Sequence, residues 1–123
     1  MIHFKIACAL MAIGIGLGAF GAHGLQERVP ARDLEVWHTA VFYHLVHALA
    51  LLALCSSSLL VSWVSESSLR LVWNLIIMGV VLFSGSLYIL VLTNQRWLGM
   101  ITPLGGVTLI VAWAVLFFCL RPS

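Results

Sequence analysis

Polar residues in this chain act as separators. Four apolar stretches run from about Phe4 to Ala22, Trp37 to Leu60, Leu69 to Leu92 and Thr102 to Leu120, with short polar connections between them. Each is long enough for a helix that crosses a bilayer, which takes about 20 apolar residues. Short connections make consecutive helices antiparallel neighbours. The expected fold is all-α, an integral membrane four-helix antiparallel bundle forming a single transmembrane domain over residues 1–123. No internal repeat, linker or low-complexity tract interrupts it.

The boundaries carry helix punctuation. Pro30 suits a first helical turn, where its missing N–H would be unpaired anyway, and Asp33 and Glu35 then lie near the positive end of the helix dipole. Helix 2 is therefore expected to start near residue 30, its first turns lying at the interface with Leu34 and Trp37 among charges. Thr102 is the expected N-cap of helix 4, with Pro103 as its first helical residue, and Ser67 or Ser68 the cap of helix 3. Lys5 and the small residues of Ala19–Ala22 also fit a signal peptide. The apolar run is long for that role, and its glycines have a better use in packing.

Composition fixes the class. The chain is 63% hydrophobic and 8% charged, whereas a soluble domain is about a quarter charged. A net charge of +2 without a basic run excludes a nucleic-acid partner. Cys8, Cys55 and Cys119 each sit in an apolar run and show no metal-ligand spacing. If helix 1 runs from side A to side B, then Lys5, Arg70 and Arg121 fall on side A and Arg28, Arg32 and Arg96 on side B. The tie leaves orientation to the amino terminus, whose charge leans both termini towards the cytoplasm. A tie also permits insertion in both orientations, as an antiparallel homodimer would need.

The segment GLGAFGAHG contains Gly16-x-Gly18-x-x-Gly21, the spacing of a dinucleotide-binding loop. That loop needs a strand before it and a βαβ unit around it. Here a membrane helix leads in and another follows, so no nucleotide is expected. The glycines serve packing: Gly14, Gly18 and Gly21 form a small stripe, with Ala7 on the same side. Gly79 and Ser86 on helix 3, and Gly105, Thr108 and Ala112 on helix 4, offer matching stripes. Such stripes let membrane helices approach closely.

Four blocks carry a resemblance: GAFGAHGL (Gly18–Leu25), TAVFYHLVHALALL (Thr39–Leu52), LFSGSLYIL (Leu82–Leu90) and ITPLGG (Ile101–Gly106). Together they resemble the YgdD-like and YwdK-like family of small four-helix bacterial inner-membrane proteins of unknown function, to which an animal transmembrane protein is related. The resemblance covers nearly the whole chain. It implies a multi-pass protein of the bacterial inner membrane and brings no known activity. The shared pattern includes Gly18, Gly21, His23, Gly24, Tyr43, His47, Ser84, Gly85, Ser86, Tyr88, Thr102, Pro103 and Gly105. His44 departs from it, standing where the family has glutamine, and His38 lies outside it.

Threading the helices as antiparallel crossings puts the polar members of this pattern in the side-B half of the bundle. His23 ends helix 1 on that side; Tyr43 and His47 lie one to three turns into helix 2. Ser84, Ser86 and Tyr88 fill the side-B half of helix 3, and Thr102 begins helix 4. These seven residues form the candidate ligand-binding or polar cluster, with Gly14, Gly18, Gly21, Gly79 and Gly105 as helix-packing positions. His47 is expected inside the bundle, paired with His23, Ser84 or Ser86. Ordinary roles compete at each position: interfacial belts for the tyrosines, bonds to their own helix for the serines, an interfacial anchor for Arg96 and Trp97.

Function follows from what this level lacks. His44 and His47, three apart, could ligate a metal or haem, but no carboxylate or cysteine joins them, so no metal or cofactor is expected. No membrane-embedded acid orients a histidine for catalysis, and all four acids lie at helix ends or in loops. The expectation is a non-enzymatic accessory, scaffold or lipid-interacting protein, with membrane lipids as partners and a homo-oligomer compatible. The alternative is a small-solute or proton-coupled transporter using a polar pocket near one face.

Overall fold

The computed structural model describes residues 1–120; Arg121, counted on side A, lies outside them. Helix α1 (Ile2–Phe20) runs into a π turn at Gly21–Leu25. Helix α2 spans Ala31–Ser56, and a short α3, Ser58–Trp63, follows at side A. Helices α4 (Glu66–Val80) and α5 (Ser86–Thr93) form one span through a second π turn, Val81–Gly85. A 3₁₀ turn at Arg96–Met100 leads into α6, Thr102–Cys119. Four segments, Ile2–Leu25, Ala31–Ser56, Glu66–Thr93 and Arg96–Cys119, are long and apolar enough to cross a membrane. The protein is an all-α, four-span bundle.

Several ends differ from the sequence reading. Pro30 stands just before α2 as its N-cap, with Ala31 the first helical residue. At about 1.5 Å per residue α2 is about 39 Å long, more than the roughly 30 Å hydrocarbon layer, so its first turns extend to the side-B interface. It stops at Ser56, short of Leu60. Three consecutive serines compete for backbone groups there: Ser56 Oγ donates to the Leu52 carbonyl at 2.6 Å, and Ser57 Oγ caps α3 by accepting from Leu60 N. Ser65, not Ser67 or Ser68, caps α4 by accepting the Ser68 N–H at 3.2 Å. Thr102 makes no cap; Ile101 holds that place and Pro103 falls in the first turn of α6. Asn94, the only non-glycine at positive φ among the described residues (56°), closes α5 in the left-handed conformation.

Packing follows the small residues. The α1 glycines face α2: a Cβ on Gly14 would lie 2.7 Å from Leu45 Cδ2, one on Gly18 3.3 Å from Val41 Cγ1, and one on Gly21 2.6 Å from Trp37 Cδ1. Trp37, read as interfacial, is fully buried, and its indole N–H donates to the Leu17 carbonyl at 2.9 Å. On the other flank α6 packs along α4. Gly79 faces Leu109, and Gly105 lies against the backbone of the Val81–Gly85 turn, where a Cβ would come 2.7 Å from Phe83 Cα. One buried cluster, including Ala7, Leu51, Val72, Ile76, Leu109 and Leu116, fills the side-A half; a second, around Trp37, Ala40, Tyr88 and Leu98, fills the side-B half.

An ion pair clamps side B. Asp33, 5% exposed at the start of α2, accepts two hydrogen bonds from the Arg96 guanidinium, each 2.9 Å. This fork ties α2 to the connection between the third and fourth spans, and gives Arg96 a tertiary partner where an interfacial anchor was expected.

Two outcomes test this packing by thermal unfolding in detergent. Gly105→Ala drives a methyl into backbone and should destabilise by about 2 kcal/mol or more, while Gly16→Ala, which meets nothing within 4 Å, should be neutral or slightly stabilising. Equal stability of the two variants would contradict the packing. Arg96→Asp should lower the melting temperature, and the exchanged pair Asp33→Arg with Arg96→Asp should recover part of the loss. No recovery would mean the fork adds nothing to the clamp.

Candidate functional site

Helix α2 carries the chemistry. His44 and His47 are three residues apart, so their directions differ by about 60° around the axis. That divergence sends them to different neighbours. His44, 4% exposed, places Nδ1 3.0 Å from the Tyr88 hydroxyl of α5. Gly14 leaves room for its ring on the α1 side, where an added Cβ would sit 3.3 Å from His44 Cδ2. His44 Nε2 is buried without a hydrogen-bond partner.

His47 turns towards α6. Trp113 Nε1 donates to His47 Nε2 at 3.2 Å, and His47 Nδ1 lies 2.9 Å from the Tyr43 carbonyl. An indole N–H only donates and a carbonyl only accepts, so the bonds assign the lone pair to Nε2 and the proton to Nδ1. Both ring nitrogens are thus engaged. The Tyr43 ring lies nearly parallel to the imidazole, 8° between planes at 6.1 Å, and packs on Phe83 at 4.5 Å.

The hydroxyls of the third span complete the polar set. Ser84 Oγ crosses to α2 and donates to the Ala40 carbonyl at 2.7 Å, rather than bonding its own helix. Ser86 Oγ meets Thr102 Oγ1 at 2.7 Å and the Phe83 carbonyl at 2.9 Å. Tyr88, paired with His44, also packs on Trp37 at 4.8 Å.

The seven sequence-selected residues therefore resolve into separate groups. Ser84 and Tyr88 meet α2 at Ala40 and His44. Ser86 and Thr102 pair with each other. His47 takes Trp113, not His23, Ser84 or Ser86. Tyr43 is 39% exposed, and His23 is exposed in the Gly21–Leu25 turn, apart from all of them. Cavities flank the two histidines: about 290 Å³ between α2 and α6, lined by Tyr43, His47, Phe83 and Trp113 among others, and about 170 Å³ between α1 and the third span, where His44, Ser84 and Tyr88 join apolar neighbours. No group of three or more histidine, cysteine or acidic side chains suited to a metal ion occurs among the described residues.

Trp113 escaped the sequence reading, which also left His44 out of the candidate cluster and placed Trp37 at the interface. Trp113 had a usable signal. An indole in the middle of a membrane span, away from the interfacial belts, needs an acceptor from another helix. His44 carried a similar one, and a glutamine at its position would offer Tyr88 the same kind of partner.

Comparison with known proteins agrees with a membrane protein. Residues 17–106 match the family model described as "Protein of unknown function (DUF423)". The UPF0382 membrane protein YwdK of Bacillus subtilis is 47% identical over 114 residues, covering 92% of this chain and 91% of that protein. A UPF0382 membrane protein of Staphylococcus saprophyticus is 47% identical over 118 residues, covering 92% of each chain. One from Staphylococcus aureus strain RF122 is 46% identical over 118 residues. No solved structure matches. A family match over most of the chain, with relatives of this identity along nearly their full lengths, establishes that the chain belongs to the DUF423 family, the YwdK-like membrane proteins of uncharacterised function.

Proposed function

We propose that this protein is a non-enzymatic accessory or scaffold of the bacterial inner membrane that acts through its lipid-facing surface, with both termini in the cytoplasm. One observation carries the reading: the buried polar side chains of the side-B half make separate interhelical contacts, His44 with Tyr88, His47 with Trp113, Ser86 with Thr102 and Ser84 with the Ala40 carbonyl, rather than one connected path. A proton or solute route needs polar groups in series along a hydrated path. A general acid or base needs a free ring nitrogen and a group to orient it. His47 has both nitrogens engaged, and the one unpartnered ring nitrogen of the two buried histidines, His44 Nε2, is closed off by burial from any substrate. The outer surface of the bundle is apolar, with Ile13, Phe42, Ile110, Phe117 and Phe118 exposed, as lipid contact requires.

The transport reading draws on the cavity of about 290 Å³ beside His47, and the two make opposite forecasts. Purified protein in liposomes loaded with a pH-sensitive dye should pass protons and small solutes no faster than protein-free vesicles. A flux about ten-fold above that background, lost in His47→Leu, would overturn the proposal in favour of transport. On the structural role, His47→Leu leaves the Trp113 N–H, in the middle of a membrane span, without an acceptor and should cost about 1–2 kcal/mol of stability in detergent. Adding Trp113→Phe should return part of that loss. Simple additivity of the two changes would show that the indole–imidazole bond contributes nothing.

A further inference from the structure

The cavity of about 290 Å³ between α2 and α6 lies at hydrocarbon depth. Tyr43, on its wall, is eight residues beyond the exposed Glu35 and thirteen short of Ser56, about 12 Å and 20 Å along α2. The side-B headgroups are therefore farther off than a tyrosine side chain reaches, which sets Tyr43 apart from an interfacial belt. On the α6 side Gly106 brings no side chain to the space. A Cβ added there would lie 3.6 Å from Phe83 Cδ2, an ordinary contact, so the cavity is room that a larger residue at this position would take.

Four rings surround the space: Tyr43, His47, Phe83 and Trp113. The imidazole and the indole are already satisfied, Trp113 Nε1 donating to His47 Nε2 and His47 Nδ1 to the Tyr43 carbonyl. The Tyr43 hydroxyl is the exception. It takes part in no hydrogen bond among the described residues, although Tyr43 is 39% exposed at a depth where water does not serve it. An unpaired hydroxyl in an apolar medium is costly. The walls thus present aromatic faces and one unused donor, and the occupant that answers both is a flat ring bearing a carbonyl oxygen. Ile110 and Trp113 on the same walls are exposed on the lipid-facing surface, so that ring comes from within the membrane. The volume sits at the lower end of ligand pockets, about 300 Å³, and suits a ring rather than a whole lipid. A phospholipid acyl chain has no acceptor to give the hydroxyl. A helix from a second copy could offer a carbonyl, as Ala40 does to Ser84, but the spans of this bundle come that close through small residues. The outward face of α6 carries Ile110 and Phe117, each 69% exposed.

We infer that this cavity binds the ring of one isoprenoid quinone, the Tyr43 hydroxyl donating to a ring carbonyl and the prenyl tail staying among the lipid chains. The inference rests on the reading that the protein works through its lipid-facing surface, and it names the ligand and the place.

Titration calorimetry of the intact chain in detergent, read against empty micelles, tests it. The probe is a naphthoquinone methylated at both open positions of its quinone ring, and its carbonyl-free counterpart is the dimethylnaphthalene of the same shape. The wild type should bind one naphthoquinone per chain, and the hydrocarbon about ten-fold more weakly, the worth of one hydrogen bond. Tyr43→Phe should weaken the naphthoquinone about ten-fold and leave the hydrocarbon unchanged. Gly106→Leu fills the space and should abolish binding of both. Ile110→Trp, on the same wall, is the second blocking variant should Gly106→Leu not fold. Absence of one-to-one binding, equal affinity for the two probes, or a naphthoquinone affinity untouched by Tyr43→Phe overturns the inference. So does a ligand-free dimer that the blocking variants dissociate, which would assign this face to a second copy. Proton conduction in the liposome experiment alongside Tyr43-dependent quinone binding would overturn the functional proposal and leave this site standing. Background flux with no quinone binding would do the reverse.

Discussion

The backbone of the Val81–Gly85 π turn rests on Gly105, and the side-B half of the bundle depends on that contact. A π turn holds one residue more than an α turn and opens the regular hydrogen-bond ladder. In hydrocarbon such a defect is tolerated only where protein covers it. Gly105 provides the cover, because a residue without a side chain lets α6 come within contact of the Phe83 backbone. From this seat Ser84 reaches the Ala40 carbonyl on α2, while Ser86 reaches Thr102 on α6. One turn further on, Tyr88 reaches His44. A single close approach thus sets the third span against both of its neighbours.

The same logic explains why the buried polar groups occur as pairs. Lipid offers no partners, so each donor brought into the bundle must meet an acceptor from another part of the chain. Trp37 donates to the Leu17 carbonyl just ahead of the other π turn, and Gly21 makes room for its ring. Trp113 donates to His47, and Arg96 forks onto Asp33 at the interface. These bonds fix rotation and register between helices whose packing surfaces are otherwise interchangeable leucine, valine and isoleucine. Two groups break the pattern: among the described residues, His44 Nε2 and the Trp73 indole N–H at the side-A end find no hydrogen-bond partner.

The spans, their order and the glycine stripe on α1 were legible because the bilayer imposes length and apolarity on every crossing, and small residues at helical spacing have few other uses there. The break after Ser56 was not, since the apolar residues Leu59, Leu60 and Val61 continue the hydropathy across it; local serine hydroxyls decided the matter. Neither π turn leaves a trace in a five-residue composition. Trp37 looked interfacial because its neighbours in sequence are charged, yet its place is set by Gly21, sixteen positions earlier. Asp33 and Arg96 were each explained alone, by a helix dipole and an interfacial anchor, while their pairing spans 63 positions. Counting rises along antiparallel helices gives the depth of the seven selected residues, in the side-B half of the bundle. Which of them touch depends on helix rotation, and the π turn alters that rotation in the third span.

The central claim is the seating of the Val81–Gly85 turn on Gly105. Magic-angle-spinning NMR of isotope-labelled protein in lipid bilayers reads it directly. A through-space carbon–carbon cross-peak between Gly105 Cα and Phe83 Cα is the predicted result, accompanied by one between Ser84 Cβ and the Ala40 carbonyl. Absence of the Gly105–Phe83 contact in spectra that resolve both residues would contradict the account.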